Sequence, residues 1–61
     1  MFKSVLTGAL VLEKEGVYTI IYRGYSILQT DNIATAKMTA ISRVDCDKLF
    51  EEKTHTYLKQ A

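Results

Sequence analysis

The chain has 61 residues, with eight basic side chains against seven acidic, no proline, no tryptophan and one cysteine. That length admits one small domain over residues 1–61 and excludes a linker, a two-domain cleft, a dinucleotide fold and a deep substrate cavity. Hydrophobic residues at 48 %, charged residues at 25 % and a net charge of +1 fit a globular chain without a field strong enough to draw in nucleic acid.

Taken in chain order, Phe2 and Lys3 precede an apolar run from Val5 to Leu12 that ends in Glu13-Lys14-Glu15. The run has no small-residue cleavage site, and its Leu, Val and Thr content suits a strand rather than a leader. No stretch of about 18 apolar residues exists to cross a membrane. The lone Cys46 cannot form an internal disulfide. These features predict a cytoplasmic protein with no membrane association, held without cofactor, metal or disulfide and stabilised by self-association as a homodimer.

Two β-rich runs, Val5 to Glu13 and Val17 to Arg23, flank Lys14-Glu15-Gly16. A three-residue loop with glycine last predicts a type I turn followed by a left-handed glycine. The register then sets Glu13 opposite Val17, Leu12 opposite Tyr18, Leu10 opposite Ile20 and Gly8 opposite Tyr22. One face would carry Leu6, Leu10, Leu12, Tyr18, Ile20 and Tyr22 as the core. The other would carry Val5, Thr7, Ala9, Val11, Thr19 and Ile21, with Glu13 and Arg23 towards the ends, too apolar for an open sheet face. A covering layer or a second copy is expected there.

After Gly24, the run Tyr25 to Gln29 is either a third strand or a continuation of the second past a glycine bulge, and a third strand is the favoured reading. Thr30 or Asp31 is the expected helix N-cap, with Asp31 and Asn32 in the first turn. Ile33, Lys37, Ile41 and Val44 then form one helical stripe, with Ala34, Met38 and Ala40 beside it. A second helical segment begins near Asp45 or Asp47 and runs to about Lys59, with Cys46, Leu49, Phe50, Tyr57 and Leu58 apolar. No Gly or Pro separates the two segments, so one long rod and two short helices both fit. The fold class is α+β: a small antiparallel sheet packed by this C-terminal helical region.

Chemistry-bearing clusters are sparse. Asp45, Cys46, Asp47, Glu51, Glu52 and His55 include one helical pair, Glu51 and His55, at metal-ligand spacing. Helix starts favour acids for dipole reasons alone, and a solvated helix face is the plainer reading. Cys46 and His55 lie about 13 Å apart along a helix and form no nucleophilic pair. Ser4, Ser26 and Ser42 have no adjacent base, so no catalytic residue is assigned. Arg23, Lys37, Arg43, Lys3 and Lys48, with Tyr18, Tyr22 and Tyr25, are the types that single-strand-binding sheets use. Tyrosines filling a core or a dimer interface explain the same pattern more simply.

The segment Glu15-Gly16-Val17-Tyr18-Thr19, then Gly24, then Thr30 leading into Ile33-Ala34-Thr35-Ala36-Lys37-Met38-Thr39-Ala40, resembles the strand-turn-strand-strand-helix of HicB-type antitoxins. The resemblance covers roughly residues 5 to 44. It implies a partial ribonuclease H-like arrangement and a small protein that blocks a toxin or enzyme by surface contact. The expected function is accordingly a non-catalytic, protein-binding regulator or inhibitor, antitoxin-like or of phage regulatory type, with an RNA- or single-stranded-DNA-binding module as the alternative. Tyr22, Arg23 and Tyr25, around Gly24, are the expected partner-binding residues, because aromatic and arginine side chains are the usual interface anchors.

Overall fold

The computed structural model describes the backbone of residues 2–60 and the side chains of residues 2–55. The chain is an antiparallel meander followed by two helices: β1 (Phe2–Lys3), β2 (Leu10–Lys14), β3 (Val17–Tyr22), β4 (Tyr25–Thr30), α1 (Ile33–Ile41) and α2 (Arg43–Gln60). The sheet has four strands in the order β1-β2-β3-β4, and the helices pack against it. The α+β class and the strand after Gly24 are as expected. The short strand β1 adds a fourth.

The first hairpin differs from expectation by one residue. Lys14 pairs with Val17, which leaves a two-residue turn, Glu15-Gly16, with φ of 53° and 80°. Both residues are left-handed, as hairpins of this loop length demand. Glu15 therefore adopts the conformation that the longer loop reserves for glycine alone. The turn is supported locally, since the Gly16 N–H donates to a Glu13 carboxylate oxygen at 2.8 Å.

A slip of one residue exchanges the faces of a strand. Val11 pairs with Ile20, and Ala9, Val11, Ile20 and Tyr22 are buried beneath the helices. Leu10 and Leu12, expected in the core, lie on the opposite face with Val17, Thr19 and Ile21. Leu6 is not in a strand at all. Residues 5–7 form a turn closed by Gly8 N–H to Ser4 carbonyl (2.7 Å) and Ser4 N–H to Ala9 carbonyl (2.8 Å).

The β3–β4 hairpin repeats the turn geometry at Arg23-Gly24, with φ of 54° and 85°. Its ladder shifts between Ile20 and Ile21: Ile20 pairs with Leu28 but Ile21 pairs with Ser26. Ile27 is the extra residue of this bulge and is fully buried. The bulge lets consecutive residues Ile27 and Leu28 both reach the core. Burial of a side chain this size contributes about 1.5–3 kcal/mol.

The helix caps also differ from expectation, later for α1 and earlier for α2. Asn32, not Thr30 or Asp31, caps α1, and its side-chain oxygen accepts the Thr35 N–H at 3.1 Å. The Thr30 hydroxyl supports the cap from outside by accepting the Asn32 N–H. Ser42 is extended and divides the helical region into two without glycine or proline. Its N–H donates to the Thr39 carbonyl, while its hydroxyl accepts the Asp45 N–H. One residue thus ends α1 and caps α2, which starts at Arg43 rather than at Asp45 or Asp47.

The expected stripe of α1 is not the face that enters the core. Ile33, Met38, Ile41 and Val44 are exposed, and α1 packs through Ala36 and Ala40, both fully buried. Small residues allow the helix to approach the sheet closely, and the larger side chains are left outside. From α2, Cys46 is fully buried, with Leu49 and Phe50 packed against the core. The side chains of Tyr57 and Leu58 lie outside the described residues. Two long-range bonds tie the β1–β2 loop to the elbow at Ser42. The Thr7 hydroxyl donates to the Ala40 carbonyl, and Arg43 donates to the Leu6 carbonyl at 2.8 Å.

Candidate functional site

Tyr22, Arg23 and Tyr25 meet at the end of the second hairpin, and a fourth residue organises them. Phe50 of α2 stands edge-on to both tyrosine rings, at centroid distances of 5.9 Å to Tyr22 and 5.4 Å to Tyr25. Such edge-to-face pairs are the arrangement that ring quadrupoles favour. The Arg23 guanidinium sits 5.0 Å from the Phe50 ring and 6.0 Å from the Tyr22 ring. The turn at Arg23-Gly24 creates this arrangement, because its left-handed pair reverses the chain within two residues and sets Tyr22 opposite Tyr25.

The three residues are not equivalent. Tyr22 is 5 % exposed, whereas Tyr25 is 43 % exposed and Arg23 is exposed as well. Tyr22 packs inward against α2. Its hydroxyl donates to Asp47 Oδ1 at 2.5 Å, which fastens the hairpin to the helix. That bond holds the Tyr22 hydroxyl above its ordinary pKa, with burial and the Asp47 charge adding to the effect and Arg23 and Arg43 opposing it. Asp47 and Phe50 are three residues apart on α2 and share a face, so one helix turn supplies both contacts.

Beside this cluster lies a groove of about 520 Å³, with Tyr22 and Phe50 against Thr7, Arg23, Arg43, Asp47, Glu51 and Thr54. It brings two arginines from distant elements together with two acids of α2. The other candidate residues do not join them. Lys37 lies 5.9 Å from the Phe2 ring, in a separate groove with Tyr18 and Ile33. Lys48 lies with Glu51, Glu52 and His55 along α2. The expected basic residues therefore do not form one patch, and Tyr18, Tyr22 and Tyr25 do not form one stacking surface.

Cys46 is fully buried, and its thiol donates to the Thr39 carbonyl at 3.2 Å. Burial is the main cause that pushes this thiol above its ordinary pKa, as for a cysteine packed as a small hydrophobe. Among the described residues, no three His, Cys, Asp or Glu side chains converge as a metal site would require. Nor is any helix among them long and apolar enough to cross a membrane.

Phe50, Asp47 and Arg43 are the site residues that sequence reasoning did not connect to the hairpin. Phe50 was legible as an apolar helix position and Asp47 as an acid near the helix start. Nothing in the spacing ties residues 47 and 50 to residue 22. Two further surfaces are apolar. The outer sheet face carries Leu10, Leu12, Val17 and Ile21, and the helix elbow exposes Val5, Leu6, Met38, Ile41 and Val44. No protein-family model, curated protein or solved structure matches this chain.

Proposed function

We propose that this chain is a small, non-catalytic cytoplasmic protein that binds another protein and regulates or inhibits it, as antitoxin-like and phage-type regulators do. The observation that carries the reading is the clustering of Arg23 and Tyr25 on Phe50 at the tip of a two-residue turn. An exposed ring and an exposed guanidinium already held in place lose little side-chain entropy on binding, a feature of interface anchors. Tyr22 has a different part in this reading: it supports the anchors from behind. The nucleic-acid alternative is weaker, because Asp47 and Glu51 share the groove with the two arginines and would repel a phosphate backbone.

Two copies are further proposed to pair through the outer sheet face. Its centre, Leu10, Leu12, Thr19 and Ile21, holds no charge, and Lys3 and Lys14 lie at its margins. On the β4 side this face continues as Ser26 and Gln29, so its centre is uncharged rather than wholly apolar, and depletion of charge at the centre is the composition of a stable interface.

The test is capture from the native cell with the wild-type chain and with a folded Arg23→Ala/Tyr25→Ala variant. The double variant should weaken binding of the captured protein by about 2 kcal/mol or more. Unchanged affinity would remove the site, and capture of nucleic acid with steep salt dependence would replace the function.

A further inference from the structure

The two arginines of the groove are held in place but not neutralised. The Arg23 guanidinium lies 6.0 Å from the Tyr22 ring and 5.0 Å from the Phe50 ring, and among the described residues it makes no hydrogen bond or ion pair. Its N–H donors therefore have no acceptor among the described residues. Arg43 spends one terminal nitrogen on the Leu6 carbonyl at 2.8 Å, which orients the fork and leaves its remaining donors. The two come from different elements, the β3–β4 turn and the start of α2, line one groove, and both act electrostatically on the Tyr22 hydroxyl that lies in it.

The acids of the groove define what can enter. Asp47 already accepts the Tyr22 hydroxyl, and Glu51 lines the same wall of α2, with Glu52 the next residue along it. A polyanion lying along the groove would meet these carboxylates. A single carboxylate meets fewer of them than a chain of phosphates does, and its planar geometry matches the arginine fork. We infer that the groove between the β3–β4 turn and α2 receives an aspartate or glutamate side chain of the partner protein, held by Arg23 and Arg43. This inference rests on the protein-binding reading above and adds the chemistry of the bound residue.

The experiment follows the arginine Nε–Hε signals of the full chain by NMR during titration with an acetylated, amidated Gly-Glu-Leu-Glu-Gly peptide. Its glutamine counterpart, inorganic phosphate and hexathymidylate are titrated in parallel. Saturable shifts at Arg23 and Arg43 with the glutamate peptide are expected, none with the glutamine peptide, and at least tenfold weaker binding to Arg23→Lys. Lysine keeps the charge but loses the fork and the stacking, and it meets the same turn conformation, so this variant should fold. No saturable shift, equal response to both peptides, or unchanged binding by Arg23→Lys overturns the inference. Tighter binding of phosphate or hexathymidylate overturns it too and assigns the groove to a phosphate. If the captured partner depends on Arg23 and Tyr25 but is not displaced by the glutamate peptide, the protein-binding reading stands and this inference alone fails.

Discussion

The two faces of the sheet are built from similar residue types yet have opposite fates. The inner face places Ala9, Val11, Ile20, Tyr22 and Ile27 beneath the helices, all at 5 % exposure or less. The outer face places Leu10, Leu12, Val17 and Ile21 outside, with Leu12 and Val17 at 38 % and 42 % exposure. Hydrophobicity does not distinguish them. Fit does: α1 reaches the sheet through Ala36 and Ala40, and Ala9 and Val11 suit that close approach better than two leucines. The face that does not fit the helices stays outside the core.

The comparison is broken most severely in the core. Ile20→Ala should cost about 2–5 kcal/mol, because the side chain is fully buried and the cavity cannot collapse without moving α1. For a domain this small, that amounts to loss of folding by circular dichroism at room temperature. Ile21→Ala, one residue along, should cost about 1 kcal/mol or less in the monomer. Equal losses would show that the faces are not divided as described.

The turns come next. Gly16→Ala and Gly24→Ala should each cost about 1 kcal/mol, since both glycines have positive φ and a Cβ there would meet nothing within 4 Å. The cost is then backbone strain alone and should be similar at both sites, as read from denaturant midpoints. A much larger loss at Gly24 would mean that packing of Tyr22 and Tyr25 on Phe50 amplifies the strain.

These substitutions also show where the sequence was legible. The two hairpins, the helical region and the glycine positions follow from local patterns, and so does the grouping of Tyr22, Arg23 and Tyr25. The register did not follow, because Lys14-Glu15-Gly16 closes equally well as a two- or three-residue loop and either register gives an apolar face. Whether Leu10 or Val11 turns inward is decided by α1, which lies more than twenty residues away along the chain. The elbow at Ser42 was hidden for a related reason. It relies on one serine bonding in both directions rather than on a helix breaker. Phe50 and Asp47 reach the hairpin only through that elbow, so the centre of the site was the least legible part.

On the outer face, Leu12→Lys should leave monomer stability within about 0.5 kcal/mol, as for a surface change. It should nevertheless shift sedimentation from dimer to monomer at micromolar concentration, because a charge would enter the apolar centre. A wild-type chain that sediments only as a monomer would leave this face without its proposed occupant.

The smallest effect is a pH dependence belonging to the inner face alone. Cys46 and Tyr22 are both held above their ordinary pKa values of 9.0 and 10.0 in the folded chain. Above those values the unfolded chain has released protons that the folded chain still holds. Stability from these groups is therefore complete below the unfolded values and declines as pH rises through the folded ones. Loss should begin near pH 9 through Cys46 and steepen past pH 10 through Tyr22. Urea midpoints measured from pH 7 to 11 should show Cys46→Ala flattening the first part of the decline and Tyr22→Phe the second. Phenylalanine keeps the edge-to-face contact with Phe50 but cannot donate to Asp47, so the variant isolates the hydroxyl. If Tyr22→Phe declined as steeply as the wild type above pH 10, the bond to Asp47 would not be what fastens the hairpin to α2.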